Sequence, residues 1–144
     1  MLFDVATASE KLKFFTDFPR MHQDGINHLE QVIQYNSNTR LVIIDTLGKF
    51  RPPKPKSIDQ YSDDYEVGTK LKALADRCEV SILAVHHMQK TESEDKFDDV
   101  IGSFGVTGST DGIILLIRKT GQADAELHIT KLVIPPQKEI KIFC

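Results

Sequence analysis

The chain has 144 residues, of which 40% are hydrophobic and 27% charged, the balance of a globular domain and not of a disordered tail. A formal net charge of −3 and a pI near 5.9 argue against a dedicated basic nucleic-acid clamp while leaving room for a local basic loop. Cys78 and Cys144 form no ligand or disulfide pattern, no apolar run approaches the roughly 20 residues that cross a bilayer, and the opening residues lack a secretory layout. A cytoplasmic protein with no membrane partner is expected.

In chain order, KLKFFTDF around Phe14 reads as a first strand. After the turn-like Gln23-Asp24-Gly25, the spacing of Ile26, Leu29, Val32 and Ile33 predicts an amphipathic helix. LVII (Leu41 to Ile44), ILAV (Ile82 to Val85) and IILLI (Ile113 to Ile117) are short, branched and without alternation. Such runs suit strands covered on both faces, as in a parallel sheet; a buried helix segment is the competing reading. Between the first two runs, Val67, Leu71, Leu74, Ala75 and Cys78 mark one face of a second helix, with Asp63 and Glu66 spaced as a capping box. Beyond the third run, Leu127 and Ile129 alternate with polar residues, as do Ile140 and Ile142, with Pro135-Pro136 between. That pattern predicts an antiparallel hairpin at the edge of the sheet. The expected fold is therefore α/β, one domain over 1–144, mostly parallel with a C-terminal antiparallel hairpin.

Two loops interrupt this frame. Gly48 to Ser62 carries three prolines and four basic residues, Lys49, Arg51, Lys54 and Lys56. Four such charges could give a salt-dependent contact to single-stranded DNA, or could simply be a solvated loop. Thr91 to Asp99 is acidic and precedes the glycine-punctuated Ile101 to Thr110.

Asp45 directly follows an apolar run, which delivers a carboxylate to the carboxyl edge of a sheet, where open α/β folds bind ligands. In P-loop NTPases a carboxylate so placed helps hold magnesium; the plainer role is to cap the next turn. The second run ends in His86-His87, and if its strand lies beside the first, an imidazole arrives near Asp45. Adjacent strand residues point to opposite faces, so at most one of the pair faces such a site. A metal site of Asp45, the histidines and the acidic loop has no ligand spacing behind it. The 144 residues contain no Gly-x-x-x-x-Gly-Lys-Ser/Thr run, the backbone cradle and lysine that hold phosphates in P-loop enzymes.

Read in order, TDFPR (Thr16 to Arg20), LVIIDTL (Leu41 to Leu47), KFRPP (Lys49 to Pro53), DDYE (Asp63 to Glu66), AVHHMQK (Ala84 to Lys90), IGSFGVTGSTDGIILL (Ile101 to Leu116) and ELHIT (Glu126 to Thr130) resemble the RecA-like AAA ATPases related to RepA hexameric replicative helicases of plasmids and phages. The resemblance implies a partial RecA-like, P-loop-NTPase-type three-layer fold, the C-terminal part of an ATPase core without the Walker A segment. By it Asp45 matches the Walker B aspartate, holding Mg²⁺ through water with Thr46 in support. His86-His87 match the family's phosphate-sensing pair, and Gly102 and Ser103 its nucleotide-side Gly-Ser. ATP and Mg²⁺ are implied as cofactors of an intact parent, with ring self-association and single-stranded DNA as partners. The chain departs from the family where Ile101 precedes the Gly-Ser in place of an arginine, and where Lys131-Leu132-Val133 stand in place of Gly-Arg-Asp; Arg118 is the nearest candidate for an arginine acting in trans. The expectation is a partial helicase or replication-ATPase motor that does not hydrolyse ATP alone. The alternative is a non-catalytic oligomerisation or binding module on the same fold.

Overall fold

A computed structural model describes residues 9–53, 60–87, 108–118, 121 and 124–132. Gly102, Ser103, Lys54, Lys56, the acidic loop and the expected strand around Ile140 lie outside them.

Helix α1 (Gly25–Tyr35) follows a single 3-10 turn (Met21–Gln23). The expected stripe is the face it buries, through Leu29 and Ile33. Asp24 enters it in the left-handed region at φ 66°. Gly25 sits so close to the preceding turn that a Cβ there would stand 2.3 Å from the Pro19 carbonyl oxygen, which explains the glycine. Asn36 closes the helix: its backbone N–H donates to the Ile33 and Val32 carbonyls, and its side-chain amide donates to Val32 at 2.8 Å.

Strand β1 (Leu41–Asp45) leads through the one-turn helix α2 (Leu47–Phe50), and helix α3 (Gln60–Cys78) leads to strand β2 (Ser81–Val85). α3 starts earlier than the spacing of Asp63 and Glu66 predicts, so Asp63 lies inside its first turn instead of capping it. The end of α3 has the geometry of a Schellman motif. The Val80 N–H donates to the Ala75 carbonyl at 3.0 Å and the Glu79 N–H to Asp76 at 3.4 Å, with Glu79 left-handed at φ 55°.

β1 and β2 pair in parallel, with Leu41 opposite Ser81 and Asp45 opposite Val85. One face of this pair carries Val42, Ile44, Ile82 and Ala84 and packs on the helices. The core there contains Leu29, Ile33, Ile44, Leu47, Phe50, Val67, Leu71, Leu74 and Val80. The other face is open: Leu41, Ile43 and Leu83 are exposed. Parallel sheets are ordinarily covered on both faces, so this one-sided burial departs from what the unalternating runs predict.

The third apolar run also departs from expectation. Strand β3 (Gly112–Ile117) does not join the parallel pair; it pairs antiparallel with β4 (Glu126–Leu132), in a separate two-stranded sheet. The described structure is thus a mixed α/β fold with one parallel and one antiparallel pair. The strand expected from Glu126 to Thr130 forms, but its partner is β3, and its apolar Leu127 and Ile129 are exposed. An unalternating apolar run fits either kind of pair, because Ile114, Leu116, Leu127 and Ile129 form an exposed apolar face on this sheet as well. The KLKFF segment forms no strand ladder. Leu12, Phe14 and Phe15 are exposed, and Phe15 meets Phe18 edge-on at 5.8 Å. Apolar alternation alone does not make a strand without a neighbouring backbone to receive its hydrogen bonds.

Candidate functional site

The register fixes what stands together at the carboxyl edge of the parallel pair. Asp45 is the last residue of β1, Val85 opposite it is the last of β2, and His86 and His87 follow at once. Because parallel strands keep the same direction, the acid and the imidazole pair leave the sheet at the same end. Asp45, His86 and His87 are all exposed. Asp45 shares its face of the sheet with Ile43 and Leu41, the open face, whereas the burial of Ile44 assigns the alternate positions to the core.

The chain then turns. The Asp45–Thr46 peptide is cis, and Thr46 is the N-cap of α2. The Thr46 carbonyl accepts from the Lys49 N–H at 3.0 Å and from the Phe50 N–H at 3.3 Å, and the Arg51 N–H donates to Leu47 at 2.9 Å. Four residues are far too few to hold a helix alone. α2 persists because Leu47 and Phe50 are sunk in the core.

Of the four loop cations, Lys49 is exposed. Arg51 differs from the solvent-facing cation that the loop's composition predicts. It is 4% exposed, and its guanidinium forks onto two carboxylates, Nη1 donating to Asp64 and Nη2 to Asp63. Asp64 is itself 1% exposed. In this structure Arg51 is therefore committed inward, away from phosphate contact. The sequence carried a signal for this. Asp64 falls in phase with Val67, Leu71, Leu74 and Cys78 on the apolar stripe of α3, and a carboxylate on a core stripe needs a cation.

A carboxylate at an open strand end can accept hydrogen bonds from metal-held water, while the hydroxyl that follows it and the imidazoles at the same edge of the sheet can donate to anionic oxygens. Among the described residues no group of three or more His, Cys, Asp or Glu is placed to hold a metal ion directly. The acid–histidine metal site weighed from sequence would need the acidic loop, which lies outside the described residues. Arg118 follows β3 directly and is exposed. Elsewhere, the Arg77 guanidinium donates to both oxygens of Glu30, at 2.9 and 2.7 Å, tying α3 to α1. That hydrogen bonding holds the Glu30 carboxyl below the ordinary glutamate range and the Arg77 guanidinium above its own. No described helix is long and apolar enough to cross a membrane.

The family model described as AAA domain matches residues 2–93, well over half the chain and the whole of the β1–β2 pair with Asp45, His86 and His87. No curated protein gives a significant match.

Proposed function

The chain belongs to the AAA domain family, an ATPase-type module, and from that premise we propose that it is the partial motor core of a RepA-like replicative DNA helicase or replication ATPase. The observation that carries the reading is the parallel register that ends β1 at Asp45 and β2 just before His86-His87. On this reading the Asp45 carboxylate would hold a water of Mg²⁺, with Thr46 in support from the start of α2. One of His86 and His87 hydrogen-bonds the terminal phosphate oxygens and passes the presence or absence of that phosphate to the chain beyond β2. Mg²⁺ supplies charge neutralisation at the phosphates when bound. Neighbouring copies in a head-to-tail ring would hold ATP between them. Gly102 and Ser103 are assigned to nucleotide binding, and Lys49, Lys54 and Lys56 to the phosphates of single-stranded DNA.

These 144 residues do not carry the glycine-lysine loop that cradles phosphates, so the chain alone turns over no ATP. Steady-state phosphate release with Mg-ATP tests this. The expected result is no release above background from the chain alone. Release that disappears in Asp45→Ala would contradict the claim that the phosphate cradle has to come from elsewhere. Supplying a segment that bears such a loop is expected to produce turnover, lost again in Asp45→Ala.

The open apolar face formed by Leu41, Ile43 and Leu83 favours a second reading, a non-catalytic association module. Light scattering after size exclusion separates the two. Self-association indifferent to nucleotide supports the module, and nucleotide-dependent association supports the motor.

A further inference from the structure

Arg51 and Asp64 are the buried charged side chains among the described residues. Their pairing is incomplete: Arg51 Nε and Asp64 Oδ2 are both buried without a hydrogen-bond partner among those residues. Buried ion pairs with unsatisfied atoms add little net stability, because desolvation offsets the attraction, and apolar replacements of similar volume often do as well. What this pair does supply is position. Arg51 is the C-cap of α2, and its own N–H closes the turn onto Leu47. The other two backbone bonds of that turn, from Lys49 and Phe50, both end on the carbonyl of Thr46, the residue joined to Asp45. Gripping the N-terminal part of α3 at Asp63 and Asp64 therefore fixes the far end of a one-turn helix whose near end is the rim.

We propose that Arg51 is a positioning residue: its fork onto Asp63 and Asp64 locks α2 against α3 and, through the Thr46 carbonyl, sets where the Asp45 carboxylate stands. The functional weight of that position rests on the reading of Asp45 as a magnesium-side ligand; the positioning itself does not. A planar guanidinium reaches two carboxylates at once in fixed geometry, which a lysine ammonium on a flexible stem does not reproduce. The lock also explains why a basic residue followed by Pro52 and Pro53 is withdrawn from solvent while Lys49, two positions earlier, is exposed.

The test is amide hydrogen exchange in the parent and in Arg51→Lys, Arg51→Ala and the double variant Arg51→Met/Asp64→Leu. The double variant leaves no buried carboxylate at position 64 unpaired, so it keeps the fold where a single substitution could lose it. The expected result is at least a tenfold rise, on the order of one fork's contribution, in exchange at the amides of Lys49, Phe50 and Arg51 (or its replacement). Leu29 to Ile33 of α1 and Leu71 to Ala75 of α3 stay unchanged. Arg51→Lys does not restore protection, whereas ethylguanidinium added to Arg51→Ala does so in part. Protection of α2 intact in the double variant would overturn the proposal, as would a rise spread evenly over α1, α3 and β1. This readout needs no nucleotide, so its failure is distinct from failure of the magnesium reading, which shows only in the Asp45→Ala comparison.

Discussion

Ile43 and Ile44 are neighbours on β1 that the fold treats oppositely, 57% and 9% exposed. Replacing each by alanine therefore measures which face of the sheet is covered. Ile44→Ala deletes three carbons from the core. At about 0.8 kcal/mol per buried carbon the transfer loss is roughly 2.4 kcal/mol, and the cavity left under α1 and α3 brings the total to about 3 kcal/mol. Ile43→Ala deletes the same atoms from a site less than half buried, where water fills the space. Its loss is about 1 kcal/mol, a few tenths of that from the weaker strand preference of alanine. Urea unfolding followed by circular dichroism reads the difference. With a slope of about 2 kcal/mol per molar, the midpoint falls by roughly 1.5 M for Ile44→Ala and roughly 0.5 M for Ile43→Ala, at unchanged slope. Equal losses near 3 kcal/mol would refute one-sided burial, and an Ile43→Ala loss that grows with protein concentration would identify a second copy as the cover.

Four further outcomes follow from particular residues. Glu79 holds a left-handed conformation at φ 55°, so Glu79→Gly removes a strain of about 1–2 kcal/mol and gives back about half in unfolded-chain entropy; thermal unfolding should show a net gain of about 0.5–1 kcal/mol. Gly25→Ala drives a Cβ to 2.3 Å from the Pro19 oxygen and 2.7 Å from the Arg20 carbonyl, both backbone, and should cost about 2 kcal/mol in the same assay. Because the Glu30 carboxyl is held low by Arg77, its contribution is present above the unfolded-state value and fades as pH falls through the lowered folded-state value. The Tm gap between the parent and Glu30→Gln should accordingly be open near neutral pH and close in acid. Lys49→Ala should lower the slope of log affinity for single-stranded DNA against log salt by about 0.7, with Arg51→Lys leaving that slope unchanged.

The sequence made some of these features plain and hid others for physical reasons. The stripes of α1 and α3 were legible because a helix that packs one face repeats its apolar residues at helical spacing, and Leu29, Ile33, Val67, Leu71 and Leu74 do so and are buried. The strand positions of the apolar runs were legible too, and with them the edge where Asp45 and His86 leave the sheet. The partner of the third run was not, since Ile113 to Ile117 carries no mark of its neighbour's direction. Nor was the open face, because nothing in LVII distinguishes a strand covered on both faces from one covered on a single face. The fork at Arg51 was hidden by its span of 12 and 13 residues, which no helical or strand period links. Only Asp64, a charge in phase with the core, pointed to it.

The shared rim itself can be measured directly. With Cys78 and Cys144 changed to serine, a nitroxide is attached to Asp45→Cys and, in a second protein, to Leu41→Cys; the two ends of β1 are about 13 Å apart. The label at 45 is expected to broaden the amide signals of Val85, His86 and His87 most strongly, and the label at 41 that of Ser81. Strongest broadening of Ser81 from position 45, or none at His86 and His87, would contradict the account.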